Sequence, residues 1–201
     1  MKLRMPEVVF LFTLGAAASL IGDHSHVATG TTEYLTDAVP FIWSSPIWFP
    51  LLVGAATVSL AELRLRMRAP RTSVTARQGL AGVAAVIGIY VITALEHRAP
   101  VVPITVLICV LAVITWCVLG DGPGAVCGVL AAIGGPIVEA VLAGAGIFRY
   151  ADDSDSLFGV GPWLPALYFA FGVVVAMLVE IAAKDRQPSV RSSASGTPAP
   201  R

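Results

Sequence analysis

Apolar stretches long enough to cross a membrane alternate along most of the chain with short polar or Gly/Pro-containing breaks. Six such runs stand out, over residues 8–22, 47–63, 79–95, 101–119, 123–148 and 163–183, each bounded by charge or by Gly and Pro. A hydrocarbon core takes ~20 apolar residues in a helix, so the pattern predicts six transmembrane helices and short connections. The expected architecture is an all-α integral membrane protein, a six-helix bundle spanning 1–184. A Ser-, Pro- and Arg-containing cytoplasmic tail over 185–201 has almost nothing to bury and is expected to be disordered. The first run also fits a signal-peptide core, with Ala16-Ala17-Ala18 as a cleavage site. A retained helix is preferred, because cleavage would leave five spans with the new N-terminus outside.

Charge sets the orientation. Lys2, Arg4, Arg64, Arg66, Arg68, Arg71, Arg77, Lys184, Arg186, Arg191 and Arg201 all fall in segments on one side of the six-span scheme, whereas only Arg98 and Arg149 fall on the other. That second side carries Asp23, Glu33, Asp37, Glu96, Asp152, Asp153 and Asp155. Basic residues are retained in the cytoplasm, so both termini are placed there. A mean hydropathy of +0.81 excludes a soluble domain, and a formal net charge of +0 gives no general attraction to nucleic acid. Cys109, Cys117 and Cys127 lie within apolar runs and read as small packing residues. The chain has no Asn, hence no N-glycosylation acceptor, and eleven Arg against two Lys, a bias characteristic of GC-rich bacterial genomes.

Chemistry is sparse. Helices in lipid associate through small residues, and Gly124 with Gly128, Gly54 to Ala56 and Gly15 to Ser19 supply them. The fifth run contains Gly134-Gly135-Pro136, where Pro136 cannot donate to the Ala132 carbonyl, so a kink is expected. One turn later stands Glu139, a carboxylate in the middle of an apolar run, where a charge is costly unless it is paired, protonated or hydrated. Helical spacing puts Ala132, Gly135, Pro136, Glu139, Ala143 and Gly146 on one face, opposite Ile133, Ile137, Val141 and Ile147, so the small face is expected to look inward. Asp23, His24 and His26, with Glu96 and His97 on the same side, offer metal-binding groups at an unspecific spacing and read as hydrated loop residues. Trp43, Trp48, Tyr150 and Trp163 sit at span ends, where interface anchors are expected. With no nucleophile motif, phosphate loop or paired His on a helix, no enzyme activity, catalytic residue, metal or cofactor is expected.

The final third carries Gly146-Ile147-Phe148-Arg149-Tyr150 and then Trp163-Leu164-Pro165 through Gly172. These segments resemble the Insig (insulin-induced gene) family, whose fifth helix ends in G-V-Y-Q-Y and whose sixth starts with W-L-P. Ser44-Ser45-Pro46-Ile47-Trp48-Phe49-Pro50 resembles the family's S-S-x-W-W-V-P, Ile87-Gly88-Ile89 falls on its V-G-I, and Trp116 on a family tryptophan. The resemblance implies six spans with cytosolic termini and a sensor or adaptor rather than an enzyme. In animals the family binds oxysterols, retains a sterol-sensing escort protein and assists degradation of the sterol-synthesis reductase. The family's escort-associated aspartate falls on Leu119, with Asp121 two residues later, its sterol-associated glutamine near Val102 or Pro103, and its third-helix phenylalanine near Val86.

These readings converge on a regulatory lipid-binding protein whose bundle encloses a neutral lipid, sterol-like or diacylglycerol-like, with Val86, Tyr90, Val102, Trp116, Gly135, Glu139 and Ala143 as candidate contacts. A membrane-protein partner and a homo-oligomer are further expectations. One rival is a proton-coupled transporter using Glu139 beside a broken fifth helix. The other is a lipid-modifying enzyme using Asp23, His24, His26 and His97.

Overall fold

The computed structural model describes residues 2–67 and 70–184, so the 185–201 tail lies outside the described residues. Six long helices form: α1 (Met5–Thr29), α2 (Trp48–Arg66), α3 (Ala76–Leu95), α4 (Val101–Leu119), α5 (Gly122–Gly144) and α6 (Leu164–Lys184). All six are long and apolar enough to span a bilayer. Short strands cover the outer end: β1 (Thr32–Tyr34), β2 (Phe41–Ile42), β3 (Ser45–Pro46) and β4 (Phe148–Tyr150).

Helix ends follow local chemistry. Thr75 and Gln78 form a reciprocal capping box at the start of α3, each side chain accepting from the other's backbone N–H. The Asp121 carboxylate accepts from Gly124 N–H at 2.7 Å and caps α5. Gly30, at φ 77°, closes α1 in the left-handed conformation.

Helix α6 is the most buried and touches each of the other five. Its closest partner is α5, because Gly128 and Gly172 face one another. A Cβ on Gly172 would lie 2.5 Å from the Cys127 carbonyl oxygen. On α5, Ile133, Ile137 and Val141 point outward while Pro136 and Glu139 are buried, as the small-face pattern predicts.

Several boundaries differ from the hydropathy pattern. The first helix continues beyond 22 to Thr29, so Asp23, His24 and His26 are helical rather than loop residues. Buried positions Leu11, Gly15, Ser19, Gly22, Asp23 and His26 keep helical spacing straight through the polar cluster, and the chain turns only at Gly30. The fifth helix stops at Gly144 instead of 148. Gly146 adopts φ 72°, and Phe148–Tyr150 leaves the helix to pair antiparallel with β1, in register Thr32 with Tyr150 and Tyr34 with Phe148. Tyr150 and Trp163 are not interface anchors. They are 5% and 1% exposed and belong to the core with Ile89, Ile108 and Leu167. Trp43 remains exposed at the tip of the β2–β3 hairpin.

Candidate functional site

A cavity of about 290 Å³ lies inside the bundle, walled by α1, α2, α3, α5, α6 and the β1–β4 ribbon. A second arm of about 50 Å³ shares Phe49, Val53, Tyr90, Glu139, Tyr168 and Phe171 with it, so both spaces abut Glu139. Most of the wall is aliphatic or aromatic, including Leu52, Leu60, Leu130 and Val138. None of the wall residues of either arm is Lys or Arg.

The polar groups cluster in two sets. Glu139 receives one phenol on each oxygen: Tyr150 donates to Oε2 at 2.6 Å and Tyr168 to Oε1 at 2.5 Å. Tyr168 reaches this position because its ring lies flat against Gly135, where a Cβ would sit 2.5 Å away. Asp23 receives Tyr34 at 3.0 Å and Ser45 at 2.5 Å, both on Oδ2. The ring of Tyr90 occupies the space above Gly22. Burial pushes the phenols of Tyr34 and Tyr150 well above the ordinary tyrosine range, and the carboxyl groups of Asp23 and Glu139 add to it. Both therefore remain protonated donors. His26 approaches Thr93 Oγ1 through Nε2 at 2.8 Å, and the Thr93 hydroxyl donates to the Tyr90 carbonyl at 2.7 Å. With that proton committed, Nε2 of His26 is the donor.

Of the residues singled out from sequence, Tyr90, Gly135 and Glu139 line the main arm, and Val86 lines the smaller one. Ala143 is half-buried against the core cluster beside β4 and is not a wall residue. Val102 and Trp116 belong to α4, which contributes nothing to either arm. Val102 is 71% exposed on the bundle surface, while Trp116 packs against Phe169 and donates to the Asp121 carbonyl. Sequence reasoning missed Asp23, Thr32, Tyr34 and Tyr150 as cavity residues. The spacing of Asp23 and His26 from Ser19 was the available signal for the first.

The external acid and histidine residues do not converge. His24 points outward to Ser44 and Trp43, His26 faces the cavity, and His97 donates to Ala94 O and accepts from Arg98. Among the described residues no three His, Cys, Asp or Glu side chains come together as a metal site.

At the cytoplasmic end lies a second buried polar cluster with a different composition. Arg64, counted by the charge pattern as a loop residue, is fully buried on α2 and pairs with Glu180 of α6 and, at 3.3 Å, with Asp121. Arg71 forks onto Glu180 at 2.7–2.8 Å, and its remaining donors reach the Leu119 and Gly120 carbonyls at the end of α4. This knot ties four cytoplasmic segments together.

A six-helix membrane bundle with an internal apolar cavity is the class that this geometry defines. No family model matches the chain. It is 67% identical over 186 residues to an INSIG protein homolog of Mycolicibacterium vanbaalenii, covering 92% of this chain and 91% of the relative. Two solved structures superpose with a TM-score of 0.91, each covering 93% of this chain and 99% of theirs. One is the mycobacterial Insig homolog MvINS, at 67% identity, and the other a cross-linked MvINS R77C trimer, at 65%. The protein belongs to the Insig family and is a multi-pass integral membrane protein.

Proposed function

We propose that this protein is a membrane lipid sensor that holds a neutral, hydroxyl-bearing lipid in the two-armed cavity and regulates a membrane partner through the occupied state. The observation that carries this reading is a forked apolar chamber closing on two carboxyl groups that are served only by hydroxyl donors. Apolar walls with a few convergent polar groups suit a ligand that is largely hydrocarbon with a small polar head. Two neighbouring apolar spaces that both abut Glu139 suit a diacylglycerol-like ligand with two flexible chains better than one rigid sterol-like polycycle. With two acids and no cation in the wall, an anionic phospholipid head is disfavoured.

The transporter alternative loses its motivation, because α5 runs unbroken from Gly122 through Pro136 to Gly144 and offers no discontinuous helix. A homo-oligomer remains part of the proposal. The cross-linked trimer described for MvINS supports it, and Ile133, Ile137 and Val141 form an apolar outer face of the kind such assemblies bury.

The test is to purify the protein in mild detergent, extract it with organic solvent and quantify lipids by mass spectrometry. One neutral species at near-stoichiometric amount is expected. A bulk-like phospholipid mixture would overturn the reading.

A further inference from the structure

Helices α1 and α3 pack closely near the outer end of the bundle, where the Tyr90 ring is seated on Gly22 and leaves no room for a Cβ. At their cytoplasmic ends the same helices part around an open groove of about 650 Å³. Phe10 and Leu14 of α1 form one wall, Leu80 and Val83 of α3 the other, and Leu178 and Ile181 of α6 the floor. Gly79 lets that floor lie close, because a Cβ there would stand 2.9 Å from Ile181 Cδ1. The groove shares no wall residue with either arm of the inner chamber. Between Pro6 and Leu14 its α1 edge rises ~12 Å, against ~15 Å for the hydrocarbon of one leaflet.

The mouth of this groove is basic. Arg4 lines it, Arg77 follows the lining residue Ala76 in the first turn of α3, and both are exposed. Lys184, at the end of α6, donates to the Val74 carbonyl just before α3. Both α1 and α3 start here, which adds the positive ends of two helix dipoles. The acids of this end are already engaged. Glu7, which also lines the groove, accepts from Arg4 N–H at 2.8 Å, and Glu62 accepts from Leu3 N–H at 2.7 Å and pairs with Arg66. Asp121 and Glu180 are held by Arg64 and Arg71. Among the described residues no carboxylate forms an ion pair with Arg4 or Arg77.

We propose that this groove binds an anionic glycerophospholipid of the cytoplasmic leaflet, with one acyl chain between α1 and α3 and the phosphate against Arg4 and Arg77. The phosphodiester supplies the acceptors that guanidinium groups need, and the chain covers the apolar walls. A zwitterionic lipid brings an ammonium into the same basic field and binds less well. A second copy of the protein fits worse, because each described acid at this end already has a partner and the copy adds the same guanidinium groups. The bound lipid bridges α1 and α3 where they part, whatever the inner chamber holds.

The experiment is native mass spectrometry of the full chain in detergent, titrated with dioleoylphosphatidylglycerol or dioleoylphosphatidylcholine. The wild type is expected to bind one phosphatidylglycerol about tenfold more tightly than phosphatidylcholine, the scale set by two cations near a membrane surface. Replacing both exposed arginines, Arg4→Gln with Arg77→Gln, should abolish the preference. Leu80→Trp keeps every charge but fills the groove. Leu80 is 73% exposed, so this variant should fold normally and bind phosphatidylglycerol about tenfold more weakly. Val106→Trp, on the exposed face of α4, should change nothing. Equal affinity of the wild type for the two lipids would overturn the proposal. So would a preference that survives Leu80→Trp, which marks adsorption by charge alone, or a Leu80→Trp protein that loses oligomer mass and keeps its lipid, which marks a groove covered by a second copy.

Discussion

Glu139 and Glu180 are buried carboxylates on the two most closely packed helices, yet their surroundings have opposite character. Glu180 is enclosed by the guanidinium groups of Arg64 and Arg71, with the Arg71 backbone N–H also donating to it, and it lines neither arm of the chamber. Glu139 meets only phenols, and Asp23 only a phenol and a serine, across the two-armed chamber of the same bundle. The first arrangement uses charge to lock helix ends together, which needs close packing and complete compensation. The second leaves acidic groups with hydroxyl partners around open space, which suits reversible contact with a small polar head. Burial alone does not distinguish a structural acid from a ligand-facing one. The identity of the partners and the presence of space beside them do.

Substitutions can break this contrast, and the largest effect is expected at the cytoplasmic knot. Glu180→Ala removes the buried carboxylate between Arg64 and Arg71, leaving them only the partly exposed Asp121, and should cost about 3 kcal/mol, read as a large fall in melting temperature in detergent. In Gly135→Leu, a side chain takes the space of the Tyr168 ring; neutral-lipid retention measured by mass spectrometry should fall by about tenfold or more while the protein still folds. Glu139→Gln keeps acceptor and shape, so stability should change by no more than about 1.5 kcal/mol, the scale of a single hydrogen bond. A loss comparable with that at Glu180 would erase the distinction between the two clusters. Val102→Ala, on the exposed face of α4, should alter stability by about 0.5 kcal/mol or less and leave lipid retention unchanged.

The spans, their number and the inward face of α5 are legible in the chain because hydrocarbon imposes a strong, local length and polarity rule. Glu139 is legible for the same reason, as a carboxylate where none is cheap. Glu180 sits a few residues from the end of its run, where hydropathy alone cannot separate a snorkelling acid from one held by arginines on other segments. Tyr150 and Trp163 show the limit for aromatics: at a span end, composition gives no sign of whether the ring tips toward headgroups or folds inward. Thr32 and Tyr34 are hidden more deeply, because their place depends on pairing with Tyr150 and Phe148 from the far end of the chain, a non-local contact without periodic signature.

The comparison between the two acid clusters can be tested directly with an apolar carbodiimide, which couples to carboxyl groups reachable from the hydrocarbon phase. After treatment of the purified protein, peptide mass spectrometry should find label on Glu139 or Asp23, suppressed by prior loading with dioctanoylglycerol, and none on Glu180. Labelling of Glu180 to the same extent, or labelling of the cavity acids that loading with lipid does not change, would contradict the assignment of one cluster to ligand and the other to structure.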